Sequence, residues 1–180
     1  MTLPVTPSQT VGPFFHIGLA HLCRADFAPA STTGERVTVH GRILDGDGAP
    51  VEDALIEVWQ ADASGRYSRV AHATPFFGFG RVASDSNGVF RFSTIKPGRI
   101  VDGTGRAQAP HLAVTVFMRG LLKHLVTRMY FPDDENNAND PVLALVPAER
   151  RVTLIAERME TDLEWNIALQ GKDETVFFDC

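Results

Sequence analysis

Residues 36–60 read RVTVHGRILDGDGAPVEDALIEVWQ. The first nine, Arg36 to Leu44, alternate with a period of two. Side chains two apart on a strand share a face, so this alternation predicts a half-buried strand. DGDGAP, Asp45 to Pro50, is turn chemistry, because Asp-Gly supplies positive φ at little cost. ALIEVWQ, Ala54 to Gln60, predicts the next strand. The same rhythm runs through the chain. DSNG, Asp85 to Gly88, predicts a tight turn before the strand VFRFSTI, Val89 to Ile95. HLAVTVFMRG, His111 to Gly120, and KHLVTRMYF, Lys123 to Phe131, predict a hairpin pair. EWNIALQG and TVFFD predict closing strands. One stretch breaks the pattern. In ERRVTLIAERM, Glu149 to Met159, Val152, Ile155 and Met159 follow helical spacing after a start signal at Pro147, which predicts a short helix. DDENNAND, Asp133 to Asp140, predicts a solvated polar loop. Many short strands with turns between them make an all-β, antiparallel β-sandwich with one short helix. Its longest loops cover residues 1–35 and 61–80, and long loops of this kind are usually functional or bound to something.

The bulk properties narrow the classes of function. The chain has 180 residues, enough for one domain that buries roughly 70% of its unfolded surface. Its net charge is -5 and it has no basic stripe, which argues against a nucleic-acid partner. Cys23 and Cys180 lie near opposite ends, and free thiols in a reducing compartment are a simpler reading than a bridge. No basic and apolar leader and no apolar run of about 18 residues is seen, so a cytoplasmic protein with no membrane partner is expected.

Composition and spacing alone carry no catalytic motif. His16, His21, His40, His72, His111 and His124 form no H-x-H, no H-E-x-x-H and no zinc-spaced cluster with cysteine. DDENNAND lacks the central Gly and final Glu of an EF-hand loop. GFGRVAS, Gly78 to Ser84, lacks the third glycine and the strand-to-helix context of a dinucleotide fingerprint. Its glycines predict a close approach of backbone to another segment. No G-x-S-x-G is present.

Several stretches taken in order say more. TPSQTVGPFFHIGL, GRILDGDGAPVEDALIEVWQADASGRY, FGRVASDSNGVFRFSTIKPG, APHLAVTVFMRG and TRMYF together resemble the intradiol ring-cleaving dioxygenases. The resemblance implies a sandwich of mixed topology. It also implies a non-haem ferric ion, Fe(3+), held by two tyrosines and by two histidines of an H-x-H on a strand. A hard ferric ion suits phenolate oxygen and imidazole nitrogen.

This chain departs from that pattern. At PHLAV, His111 keeps the first histidine position and Ala113 takes the second. Ile100 stands where a tyrosine should follow KPG. The other tyrosine should fall between Tyr67 and Phe77, where there is none; Tyr67 is read as a strand-end residue and Tyr130 as core or interface. His111 is then a buried, vestigial ligand position. No residue of this chain is expected to be catalytic or to bind metal. The resemblance points to the metal-free alpha type of chain, with the iron supplied by a beta partner of the same fold in a higher oligomer of alpha–beta pairs.

In that setting residues 1–35 are expected to form an arm docking on the partner, ahead of a sandwich over residues 36–180. Thr10, Gly12 and Pro13, followed by Phe14, match the family stretch that reaches the substrate cavity. Arg119, in FMRG, matches an arginine placed near the site, where a guanidinium could bond the carboxylate of an aromatic acid. A plain docking arm and a surface arginine are the bland alternatives. Arg128 is read as a structural ion-pair partner. The rival to the whole reading is a non-catalytic binding or scaffold module that shares only the fold.

Overall fold

The alternating stretch at Arg36–Leu44 forms β1, the central strand of the first sheet. The structure is a computed structural model and describes residues 5–68 and 76–179. The other strands are β2 (Leu55–Trp59), β3 (Phe79–Ala83), β4 (Val89–Ile95), β5 (Ile100–Val101), β6 (Ala107–Gln108), β7 (His111–Phe117), β8 (Leu125–Tyr130), β9 (Glu157–Arg158), β10 (Leu163–Glu164) and β11 (Ile167–Ala168). β4 pairs antiparallel with β1, while β10 and β11 pair parallel with successive parts of it. The second sheet is antiparallel throughout, in the order β3-β2-β7-β8. This is the sandwich of mixed topology. β5 and β6 form a small ribbon beside it.

The period-two pattern does the packing. Val39, Ile43, Phe90 and Phe92 face inward from the first sheet, and Ile56, Val58, Leu112, Val114, Val116 and Met129 from the second. Burial of one such side chain contributes roughly 1.5–3 kcal/mol, so the alternation itself fixes which face closes. Phe27 adds to the same core, stacked on Phe92 with ring centroids 4.7 Å apart. It lies within the stretch expected to be an arm, so residues near Phe27 join the sandwich before Arg36. Gly80 on β3 lies under Phe27, and a Cβ there would overlap the Phe27 ring. That is the close approach expected of GFGRVAS.

Four turns repeat one chemistry. Asp45, Asp62, Asp85 and Asp102 each accept backbone N–H bonds on Oδ1 from the residues two and four further on. Each turn carries a glycine three residues after the aspartate, Gly48, Gly65, Gly88 and Gly105, at positive φ. The aspartate satisfies N–H groups that the tight turn would strand, and the glycine takes the left-handed conformation.

Three expectations are corrected. The predicted helix over Glu149–Met159 is a 3-10 helix over Ala148–Leu154, followed by extended chain and β9. Three residues per turn turn Leu154 inward and leave Val152 exposed, and Met159, beyond β9, is exposed as well. The Ala156 N–H bond to the Tyr130 carbonyl then holds the chain extended. Second, the one α-helix among the described residues, α1 (Pro13–Leu19), falls within the predicted arm. Proline is favoured at the first helical position, where its missing N–H is not needed. Third, Asp140 of DDENNAND is buried rather than solvated. Cys23 is free; Cys180 and His72 lie outside the described residues.

Candidate functional site

Strand β7 carries the positions singled out above, and it separates them. His111 opens the strand and Arg119 follows its end. At about 3.3 Å per residue, His111 and Phe117 are about 20 Å apart along it.

At the first end, His111 is only 4% exposed and its Nδ1 is 2.8 Å from the Ala109 carbonyl oxygen. Burial, and then the nearby Arg128 charge, lower its pKa from 6.5 to about 4, so the imidazole is neutral at pH 7. Ala113 lies two residues on, opposite Trp59 on β2 and opposite Arg128 on β8. Arg128 Nη1 donates to Gln108 Oε1 at 2.8 Å and lies 3.5 Å from the Tyr130 hydroxyl. No carboxylate pairs with it among the described residues, so the expected ion pair is not what holds Arg128.

Tyr130 is fully buried and donates to Asp140 Oδ1 at 3.0 Å. Burial pushes its phenol well above the ordinary tyrosine range. Asp140 anchors this end. Its Oδ1 also accepts from the Val142 and Leu143 N–H groups at 2.9 and 2.7 Å, and its Oδ2 from Ala109 N–H at 2.7 Å. Tyr67 sits in a loop rather than at a strand end, its ring parallel to Trp59 with centroids 6.0 Å apart.

These donors do not suit a ferric ion. One neutral imidazole remains, a methyl stands at the second strand position, and a guanidinium lies opposite that methyl. A fixed cation repels a metal cation, and one imidazole does not hold hard iron. Among the described residues no group of three or more His, Cys, Asp or Glu is placed to bind a metal.

At the other end, the leading segment packs on the hairpin. Thr10 Oγ1 accepts the Gly120 N–H at 2.8 Å, and Phe15 lies 5.3 Å from Phe117, centroid to centroid. Gly12, Pro13, Phe15, Asp53, Phe117 and Arg119 line a small cavity of about 130 Å³. The sequence-predicted residues Gly12, Pro13 and Arg119 are therefore brought together, with Thr10 alongside. Arg119 bonds Asp53 Oδ2 at 3.1 Å and approaches Glu52 Oε1 at 3.6 Å. These groups are largely exposed, so the pairing is weak and the guanidinium can be released. Asp53 holds φ at +56°, the left-handed region that non-glycine residues rarely adopt.

Asp53, Gln108 and Asp140 were missed by sequence reasoning. Asp140 alone had a usable signal, since an Asp before a Pro often caps a helical turn.

A family model described as Dioxygenase matches residues 14–171. The chain belongs to that family, the intradiol ring-cleaving dioxygenases, whose members are iron enzymes. It is 45% identical over 198 residues to the protocatechuate 3,4-dioxygenase alpha chain of Burkholderia cepacia, a match covering 99% of this chain and 98% of that one. It is 37% identical over 188 residues to the protocatechuate 3,4-dioxygenase beta chain of Burkholderia cepacia, covering 96% of this chain and 78% of that one. The hydroxyquinol 1,2-dioxygenase structure from Pseudomonas putida DLL-E4 shares the fold, with a TM-score of 0.66 at 22% identity, covering 93% of this chain and 63% of that one. No described helix is long and apolar enough to cross a membrane.

Proposed function

We propose that this chain is the alpha subunit of a protocatechuate 3,4-dioxygenase, which opens protocatechuate with O2 to 3-carboxy-cis,cis-muconate. Its partner is the beta chain, which supplies the Fe(3+), and the two chains assemble into a higher oligomer of alpha–beta pairs in the cytoplasm. The observation that carries this reading is the pairing of Ala113 with Arg128 beside His111, on a chain whose alpha-type likeness runs end to end. This chain contributes shape and charge, while the ring cleavage belongs to the partner's site.

The leading arm, within residues 1–35, docks on the beta chain. Phe14 and Ile17 are 86% and 65% exposed on one short helix, an apolar surface suited to burial on a neighbour. Thr10, Gly12, Pro13 and Arg119 form a wall of the substrate cavity there. Among the described residues nothing demands glycine at position 12: a Cβ would meet no atom within 4 Å. Space reserved outside the chain, for a partner or an aromatic ring, accounts for it. Pro13 offers a rigid apolar edge, and Arg119 a donor pair for the substrate carboxylate. Their separation from His111 by the length of β7 supports a role in a neighbour's site rather than at this chain's own ligand position.

Co-expression with a beta chain tests the proposal. Oxygen uptake with protocatechuate should require both chains. Failure of every beta chain tried to bind and activate this one would favour a scaffold module sharing only the fold.

A further inference from the structure

The outer face of the four-stranded sheet holds a half-buried guanidinium with unused donors. Arg128 spends Nη1 on Gln108 and Tyr130, while Nε and Nη2 form no hydrogen bond among the described residues. Across the strand the Ala113 methyl leaves the neighbouring position short. Next to Ala113 in the ladder stands Trp59, parallel to Tyr67 within 5° and met edge-on by Phe77 at 5.2 Å. The Arg128 charge reaches His111, Tyr130 and Tyr67 alike. The Asp140 carboxylate lies beyond the Tyr130 hydroxyl and makes no direct bond to Arg128. A partly desolvated cation without a direct carboxylate partner is unfavourable, and a carboxylate that meets two guanidinium N–H groups relieves it. A flat ring beside such a carboxylate would find an aromatic wall.

We propose that this chain carries an anion site of its own, centred on Arg128, that takes a planar aromatic carboxylate. The carboxylate bonds the free edge of the guanidinium, and the ring lies against Trp59 and Tyr67. The arginine supplies a positive charge where the family pattern would place a metal, so the position keeps its taste for an anion while losing the redox chemistry.

The test uses the full-length chain in complex with its beta partner and benzoate as the probe. Calorimetry should find one more benzoate per alpha–beta pair in the wild-type complex than in the Arg128→Gln complex. Acetate, which has no ring, and phenol, which has no carboxylate, should each bind the Arg128 site at least tenfold more weakly than benzoate. Equal benzoate stoichiometry and affinity in the two complexes would overturn the proposal. A second measurement needs no variant. Benzoate should shift the Nε resonance of Arg128 in 15N-arginine-labelled wild-type protein, and an unmoved resonance at saturating benzoate would equally refute the site.

Discussion

Ala113 and Arg128 stand directly opposite each other in the β7–β8 ladder. A methyl and a guanidinium thus meet beside His111, where the family pattern would place a second imidazole and a metal. The guanidinium makes this strand end a hydrogen-bonded one, through its bond to Gln108. Asp140, Tyr130 and Gln108 tie the same end together.

Asp140→Ala should destabilise the chain by about 3 kcal/mol in urea denaturation. The substitution strands the buried Ala109 and Leu143 N–H groups and the Tyr130 hydroxyl, and each lost acceptor costs about 1–3 kcal/mol before relaxation. A change below about 1 kcal/mol would show that Asp140 does not anchor this end.

His111 should make stability fall with acidification. Its imidazole takes up a proton near pH 6.5 in the unfolded chain, but only near pH 4 in the folded one, because burial and then the Arg128 charge oppose it. Between those values the unfolded chain binds more protons, so stability rises with pH across the window and is lost as pH falls through it. The loss should total about 3 kcal/mol by pH 4. His111→Gln should flatten that part of the pH–stability curve; an unchanged slope would assign it to other groups.

How much of this was legible in the sequence follows from the length scale of each signal. β1 and β4 could be read directly, since alternation and Asp-Gly turns act within a few residues. The 3-10 helix over Ala148–Leu154 was misjudged because the periods of 3.0 and 3.6 diverge little over two turns. Its true end is set by a bond to Tyr130, some 26 residues away in sequence. Asp140 looked like one more acid in a polar loop, and only the return of Ala109 and Tyr130 to the same place buries it. At the arm, the types of Thr10, Gly12, Pro13 and Arg119 were visible, but their gathering around one cavity was not. Asp53, which pairs with Arg119, has a left-handed backbone at a non-glycine residue, which local composition does not announce.

Arg119→Ala should raise the KM for protocatechuate about fivefold to tenfold more than that for catechol, which lacks the carboxylate. A charge-assisted bond near the surface is worth about 1 kcal/mol, which sets the scale. Steady-state oxygen uptake on the alpha–beta complex measures both substrates. Equal effects on the two would remove Arg119 from carboxylate recognition.

The double substitution Phe14→Ser and Ile17→Ser should weaken association with the beta chain about a hundredfold. Two apolar side chains losing burial at roughly 1.5 kcal/mol each correspond to two decades in Kd. Both are exposed in this chain, so the thermal unfolding of the lone variant should stay within a degree or two of the wild type. Undiminished association in sedimentation analysis would show that this helix faces solvent in the complex.

Metal analysis of the separated subunits bears most directly on the division of labour between the two chains. After dissociation of the coloured complex, the iron and the visible iron–phenolate absorption should travel with the beta chain, and this chain should be colourless and hold iron only at background level. Ferric ion recovered in stoichiometric amount on this chain, ligated by its own side chains, would contradict it.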